Sequence, residues 1–288
     1  MFFKKYYHAR WVVYEIFGIK IKKKIKPTHI DTVNLILGKN FGIGNRIFAI
    51  VNAIYGYSPK NLNIYWDKDG WVDESFSSLF ECNFDCKITE YNDEKICKTW
   101  KNSKNERTIE SPQTNLLTSD LVERILINNN ITPEIEKGFK EIFSKVQPTE
   151  KIKKRIKSIN LPEKFVALQI RNAPDWQLYG RNESLNSFIE AIKKCPKDTV
   201  FYISSMSKEV SDFIKENSGC EIIELPEKNY KSMTDAMADL YIMSYAQKGI
   251  YSFGSTFGEL AWWLSKTRQE YSIIGSYANW KWIKEDKK

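Results

Sequence analysis

Apolar residues along this chain fall into two alternating kinds of run, and the alternation outlines its elements. Residues 31–37 form a short, nearly continuous apolar stretch, which predicts a buried strand. Past Gly42-Ile43-Gly44, the residues Ile47, Ile50, Val51 and Ile54 recur at helical spacing. Residues 62–66 predict the next strand, so the chain opens with a strand–helix–strand unit of a parallel sheet. Residues 85–115 are polar and show no period. Asp120 with Glu123 resembles a capping box ahead of an apolar segment at 121–127. Thr132-Pro133 starts a helix with Ile135, Phe139, Ile142, Phe143 and Val146 on one face.

The second half alternates more cleanly. Strands are predicted at 165–170, 200–203, 220–225, 249–253 and 271–274. Between them lie helices marked by Leu185, Phe188, Ile189 and Ile192, by Val210, Phe213 and Ile214 behind the cap Ser207, and at 233–246 and 257–264. This is the pattern of a doubly wound α/β sheet. Residues 147–163 hold Pro148, Pro162 and a lysine-rich stretch in which Ile152, Ile156 and Ile159 suggest a linking helix. The predicted organisation is therefore an arm at 1–26, a Rossmann-like domain at 27–158 and a second at 159–288. A chain of 288 residues is long enough to bury a core in each.

The net charge of +8 would suggest a polyanionic partner, but its location removes that reading. Lys4, Lys5, Arg10, Lys20, Lys22, Lys23, Lys24 and Lys26 face the single acid Glu15 within residues 1–26, and the rest of the chain is close to neutral. A nucleic-acid enzyme spreads positive charge along a groove, so nucleic acid is not expected. The arm interleaves its charge with Trp11, Val12, Val13, Tyr14, Ile16, Phe17, Ile19, Ile21 and Ile25. No uncharged run approaches the roughly 20 residues that span a bilayer, and no signal-peptide cleavage site follows. Two readings remain. The arm anchors the protein to an anionic leaflet, making it cytoplasmic and membrane-peripheral, or it is a helix docked on its own protein.

Cys82, Cys86, Cys97, Cys195 and Cys220 form an odd, scattered set, which suits free thiols in a reducing compartment. The first three fall one short of a structural zinc site. His8 and His29 are the only histidines, so neither a Ser–His–Asp triad nor a histidine metal centre is expected.

The chemistry concentrates in three places. Gly42-Ile43-Gly44-Asn45-Arg46 and Gly254-Ser255-Thr256-Phe257 each read as a strand, a glycine turn and a helix start. A helix start presents backbone N–H groups and a positive dipole end to an anion. Between them, an apolar run ends in Arg171, whose planar fork suits a phosphate. Together they point to an enzyme that handles a nucleotide-linked substrate.

In this order the motifs resemble those of the fucosyltransferase-like superfamily, which includes α1,2-, α1,6- and protein O-fucosyltransferases. Gly42–Ile47 looks like its glycine-rich opening, Val166-Ala167-Leu168-Gln169-Ile170-Arg171 is similar to its strand ending in His-x-Arg, and Asp239-Leu240 through Phe253-Gly254-Ser255-Thr256-Phe257 resembles its C-terminal signature. The resemblance covers about residues 31–265. It implies a GT-B fold of two facing Rossmann-like domains, with the donor held mainly by the second. It also implies inverting, metal-independent transfer from a GDP-sugar, typically GDP-fucose, with no further cofactor. On this reading Gly42, Gly44, Asn45 and Arg46 lie near the donor diphosphate or acceptor, Arg171 clamps the β-phosphate, Ser255 and Thr256 supply N–H dipoles, and Asp239 meets the guanine edge, with Asp235 as competitor. Gln169 stands where the family has His, and Ser204-Ser205-Met206 where it often has Thr-Asp.

The attacking hydroxyl must lose a proton, and with histidine scarce a carboxylate is the natural base. Asp175 and Glu183, which follow the Arg171 strand, are the candidates, with Glu259 third. Asp67-Lys68-Asp69-Gly70 matches the Asp-x-Asp of metal-dependent GT-A enzymes, but Asp-Gly is also a turn signal. Trp262, Trp263, Trp280 and Trp282 read as core or interface packing. The expected activity is transfer of fucose or a related sugar to a saccharide or glycolipid acceptor of a cell-surface glycan, in a bacterial-type polysaccharide pathway. Its rivals are a GT-B enzyme with another nucleotide-sugar donor and a non-catalytic saccharide- or nucleotide-binding protein of the same fold.

Overall fold

A computed structural model describes residues 3–8, 11–16, 19–24, 30–37, 42–110, 133–171, 184–267 and 269–275. The chain divides into two compact units at Gln147 and Pro148.

The basic arm is extended. Strands β1 (Phe3–His8), β2 (Trp11–Ile16) and β3 (Ile19–Lys24) form an antiparallel sheet in the order β1-β2-β3, with Glu15 in register with Lys4 and Lys20. The docked-helix reading is thereby corrected. Val12, Val13, Ile16, Ile19 and Ile21 are β-branched, which lowers helix propensity and suits a pleated surface.

The rest of the first unit is built on β4 (Thr32–Leu37), β5 (Asn61–Trp66), β7 (Lys87–Tyr91) and β8 (Glu106–Glu110), all parallel in the order β7-β5-β4-β8. Helix α1 (Ile43–Tyr57) follows β4; α2 (Phe76–Leu79) and α3 (Glu94–Cys97) are single turns. Helix α4 (Pro133–Phe143) begins at the expected proline. It packs on α1 through Phe48 and Phe143, with ring centroids 5.4 Å apart, and through Tyr55 and Phe139 at 4.8 Å. Such aromatic pairs add about 0.5–1.5 kcal/mol each beyond area burial. Strands β6 (Phe80–Cys82) and β9 (Val146–Pro148) pair separately. Strands β7 and β8 lie in the stretch that showed no period. They are the sheet's outer strands, and their residues are only half-buried or exposed, so no apolar alternation marks them. The capping box at Asp120 lies outside the described residues.

The second unit is a five-stranded parallel sheet of β10 (Val166–Ile170), β11 (Phe201–Ser205), β12 (Ile222–Ile223), β13 (Lys248–Ser252) and β14 (Glu270–Ile274), in the order β12-β11-β10-β13-β14. Helices α6 (Leu185–Lys193), α7 (Lys208–Ser218), α8 (Met233–Tyr245) and α9 (Thr256–Leu264) connect the strands. Ser184, Ser207 and Ser232 each accept a first-turn N–H of α6, α7 and α8, which supports these helix starts by about 1 kcal/mol apiece. Leu168, Ile170, Phe188, Ile192, Phe201, Ile203 and Ile214 form the core between the sheet, α6 and α7. Helix α5 (Glu150–Ile156), expected as a linker on the first domain's side, belongs to this unit. Ile152 and Ile156 are buried on it, and Arg155 pairs with Asp235 of α8.

Candidate functional site

Each large sheet reverses direction at its first strand. In the second unit the chain builds outward from β10 to β11 and β12, then returns to the other side of β10 for β13 and β14. The crevice between the carboxyl ends of β10 and β13 is thus the topological switch point, where doubly wound sheets bind their ligands.

Gln169 and Arg171 stand at that end of β10, and Ser252 to Ser255 continue from β13. The last paired residues of the two strands are Gln169 and Tyr251. Beyond them the Ser252 hydroxyl joins the strands, accepting the Arg171 backbone N–H at 2.8 Å and donating to the Gln169 carbonyl at 3.3 Å. This fixes the Arg171 backbone at the mouth of the crevice. Gly254 then adopts φ +64°, a left-handed conformation that a side chain would strain. The turn delivers Ser255 as N-cap of α9, with its N–H on the Ser252 carbonyl at 3.2 Å. Thr256 and Phe257, half-buried, open the helix.

Two polar atoms at this helix start have no hydrogen-bond partner among the described residues. The Ser255 hydroxyl does not cap its own helix, and Ser255 is only 1% exposed. The Gln169 side-chain oxygen is likewise unpartnered in a residue 4% exposed. It lies beneath the first turn of α9, where a Cβ added to Gly258 would sit 2.9 Å from it. An unsatisfied buried group costs about 1–3 kcal/mol. Two of them beside a helix N-terminus form a place prepared for a ligand's polar groups. Asp175 and Glu183, the expected bases, lie outside the described residues. Glu259, in the first turn of α9, is buried and accepts the Trp263 indole N–H at 3.4 Å.

Asp239, expected at the edge of the base, is 1% exposed. Its oxygens take the Tyr202 hydroxyl at 2.5 Å and the Lys228 ammonium at 2.7 Å, and burial pushes its carboxyl above the usual range despite Lys228. Both of its oxygens thus have internal partners. Asp235 is equally engaged, gripped by Arg155 at 2.6 and 3.1 Å and by the Asn229 N–H at 2.7 Å. Burial works to raise the Asp235 carboxyl, but Arg155 and Asn229 hold it below its usual value.

In the first unit the switch point falls between β4 and β8. Gly42 is the N-cap of α1, with Gly44 and Asn45 in its first turn. Gly42 has φ −63°, and a Cβ there would meet nothing within 4 Å, so space and not backbone strain distinguishes the position. Arg46, expected among the donor contacts, is engaged within the first unit. It is 0% exposed, with its guanidinium on the Asp67 carbonyl and on Asp69 Oδ2 at 2.9 Å, and 5.0 Å over the Trp66 ring. Burial pulls its pKa below the usual value in spite of Asp69 and Asp67. Asp69 Oδ1 accepts the N–H groups of Trp71 and Val72 at 2.8 and 2.9 Å. Asp69 Oδ1 therefore closes a turn, while Oδ2 is paired with Arg46.

Sequence reasoning missed Lys228 and Tyr202, which hold Asp239, and Glu224 and Tyr230, which hold Lys228 in turn. Nothing in the sequence distinguishes Lys228 and Glu224 from solvated loop charges.

No family model and no curated protein matches the chain at the sequence level. Solved structures do. NodZ, an α-1,6-fucosyltransferase soaked with GDP-fucose, superposes with a TM-score of 0.55 at 15% identity, covering 82% of this chain and 92% of its own. The NodZ enzyme from Bradyrhizobium gives a TM-score of 0.52 at 15% identity, covering 81% of this chain and 92% of its own. A mutant of Arabidopsis thaliana FUT1 in complex with GDP gives 0.53 at 12% identity, covering 85% and 70%. At these identities the likeness concerns the fold alone, and the chain has the fucosyltransferase-like GT-B fold.

Proposed function

We propose that this chain is a glycosyltransferase that takes fucose or a related sugar from a GDP-sugar and passes it, with inversion and without a metal ion, to a saccharide acceptor of a cell-surface glycan. The observation that carries this reading is the pair of unsatisfied buried atoms, Gln169 Oε1 and Ser255 Oγ, at the start of α9 in the switch-point crevice. Two of the solved structures named above were obtained with GDP-fucose or GDP. Loss of the sugar leaves a diphosphate with added negative charge. The Arg171 guanidinium and the N–H groups of Thr256 and Phe257 supply fixed positive potential for it. Asp175 or Glu183 takes the acceptor proton.

A thermal-shift panel of GDP, UDP, CMP and dTDP with and without Mg²⁺ tests the donor, since stabilisation follows ligand concentration over affinity. GDP is expected to stabilise the protein without metal. Stabilisation by UDP with Mg²⁺ and none by GDP would end the proposal. Gln169 in place of His is the feature that favours another base, and the same panel reads it.

The N-terminal arm at 1–26, with its eight basic residues against one acid, is proposed to hold the enzyme at an anionic leaflet. Among the described residues no helix is long and apolar enough to cross a membrane. Deleting residues 1–26 should lower binding to phosphatidylserine vesicles and leave GDP affinity unchanged; equal vesicle binding would remove the anchor.

A further inference from the structure

The strongest internal cluster of charge in the second unit lies one strand from the crevice. Lys228 is 4% exposed at its side chain and reaches Asp239 at 2.7 Å, Glu224 at 3.3 Å and the Ser205 carbonyl, at the carboxyl end of β11, at 3.4 Å. Its ammonium also lies 4.6 Å over the Tyr230 ring. Glu224 is held by Lys215 and Tyr230 at 2.7 and 2.8 Å. Ser204 and Ser205 are in register with Gln169 and Ile170 of β10, so this anchor point is level with the switch-point residues.

The segment that carries Lys228 is the loop from β12 to α8, at the carboxyl end of the sheet. Lys228 ties it to β11. On its other side Arg155 donates to the Pro226 carbonyl at 2.8 Å, while Asp235 accepts the Asn229 N–H. Between these ties Glu227 is held at φ +48°, a strained conformation for a non-glycine residue. A short loop pinned on both sides and strained at its tip is built for position.

The chemistry of this edge differs from that of the crevice. Arg171 and the α9 N-terminus suit a diphosphate. Here the two lysines are already taken by Glu224 and Asp239, and the exposed Glu227 would repel a diphosphate. Met206, 43% exposed directly after β11, and Tyr230 on the loop instead offer apolar and aromatic surface. Flat bases favour such surface.

We propose that the loop Leu225–Lys231 forms the wall of the donor cleft that receives the nucleoside, and that Lys228 is the positioning residue that fixes this wall to β11. The inference rests on the donor reading above and extends it to a part of the molecule that no motif marks.

Calorimetric titration of the full chain with GDP and with inorganic pyrophosphate tests it. Lys228→Met is expected to weaken GDP about tenfold, as small displacements of a binding wall do, and to leave pyrophosphate within about twofold. Lys228→Arg should restore most of the GDP affinity. A purely structural role would lower thermal stability and change both ligands alike. Glu227→Gly, which relieves the strain and leaves the ion pairs in place, serves if Lys228→Met does not fold. It should weaken GDP in the same selective way. Unchanged GDP affinity in the folded variants, or equal losses for both ligands, would overturn the inference. Failure of the wild-type chain to bind GDP at all would instead overturn the donor reading.

Discussion

The two units carry the same local design, a parallel strand followed by a glycine turn and a helix start at a switch point, yet their polar residues end differently. In the first unit Arg46 is fully enclosed, with Asp69, the Asp67 carbonyl and the Trp66 ring around its guanidinium. In the second unit the buried Ser255 hydroxyl and Gln169 amide oxygen have no partner among the described residues. Motif spelling does not separate these cases; satisfaction of each buried donor and acceptor does. The first turn is a stabilised piece of framework. The second is where the proposed function places the donor.

The largest effect expected from this contrast is on turnover. Arg171→Ala should lower donor turnover by about 10²–10³-fold, the scale of removing one preorganised group from a developing charge. Steady-state kinetics with GDP-fucose measures it, and a loss below tenfold would place the clamp elsewhere. Arg46→Met should act on the other observable. Breaking a buried ion pair from one side costs about 3–5 kcal/mol, because Asp69 is left without its cation. Urea unfolding should report that loss, while GDP affinity of the folded variant stays near wild type. A change in GDP affinity with unchanged stability would reverse the assignment.

Ser255→Ala sharpens the comparison further. Because the hydroxyl caps nothing, its removal should leave the unliganded protein as stable or slightly more so. It should weaken GDP by about 5–10-fold, the worth of roughly one hydrogen bond. The smallest effects concern the glycines. Gly254→Ala should cost about 1–2 kcal/mol for its left-handed backbone, and Gly42→Ala less than about 1 kcal/mol. Equal costs at the two positions would remove the distinction between the turns.

The sequence was legible where burial is two-sided. Strands β4, β10, β11 and β13 are apolar on both faces and announce themselves, and their order leads directly to the doubly wound sheet. Strands β7 and β8 were illegible because one-sided or edge burial leaves no alternation to detect. Helix α5 looked like a linker because its attachment, Arg155 to Asp235, spans 80 residues of sequence. At the candidate site, Gln169 and Arg171 at the end of β10 and Gly254 and Ser255 after β13 stand where the apolar runs of the sequence put them. The internal partners of Arg46 and Asp239, Asp69 and Lys228, could not be read from a sequence. Long-range ion pairing, more than secondary structure, limited the reading.

The central claim is that the β10–β13 crevice of the second unit holds the nucleoside diphosphate through groups the protein leaves unsatisfied. Titrating GDP into wild-type, Gln169→Leu and Ser255→Ala proteins in EDTA addresses it most directly. The account predicts one metal-free GDP site, weakened in both variants with folding intact. GDP affinity identical in all three proteins would contradict it.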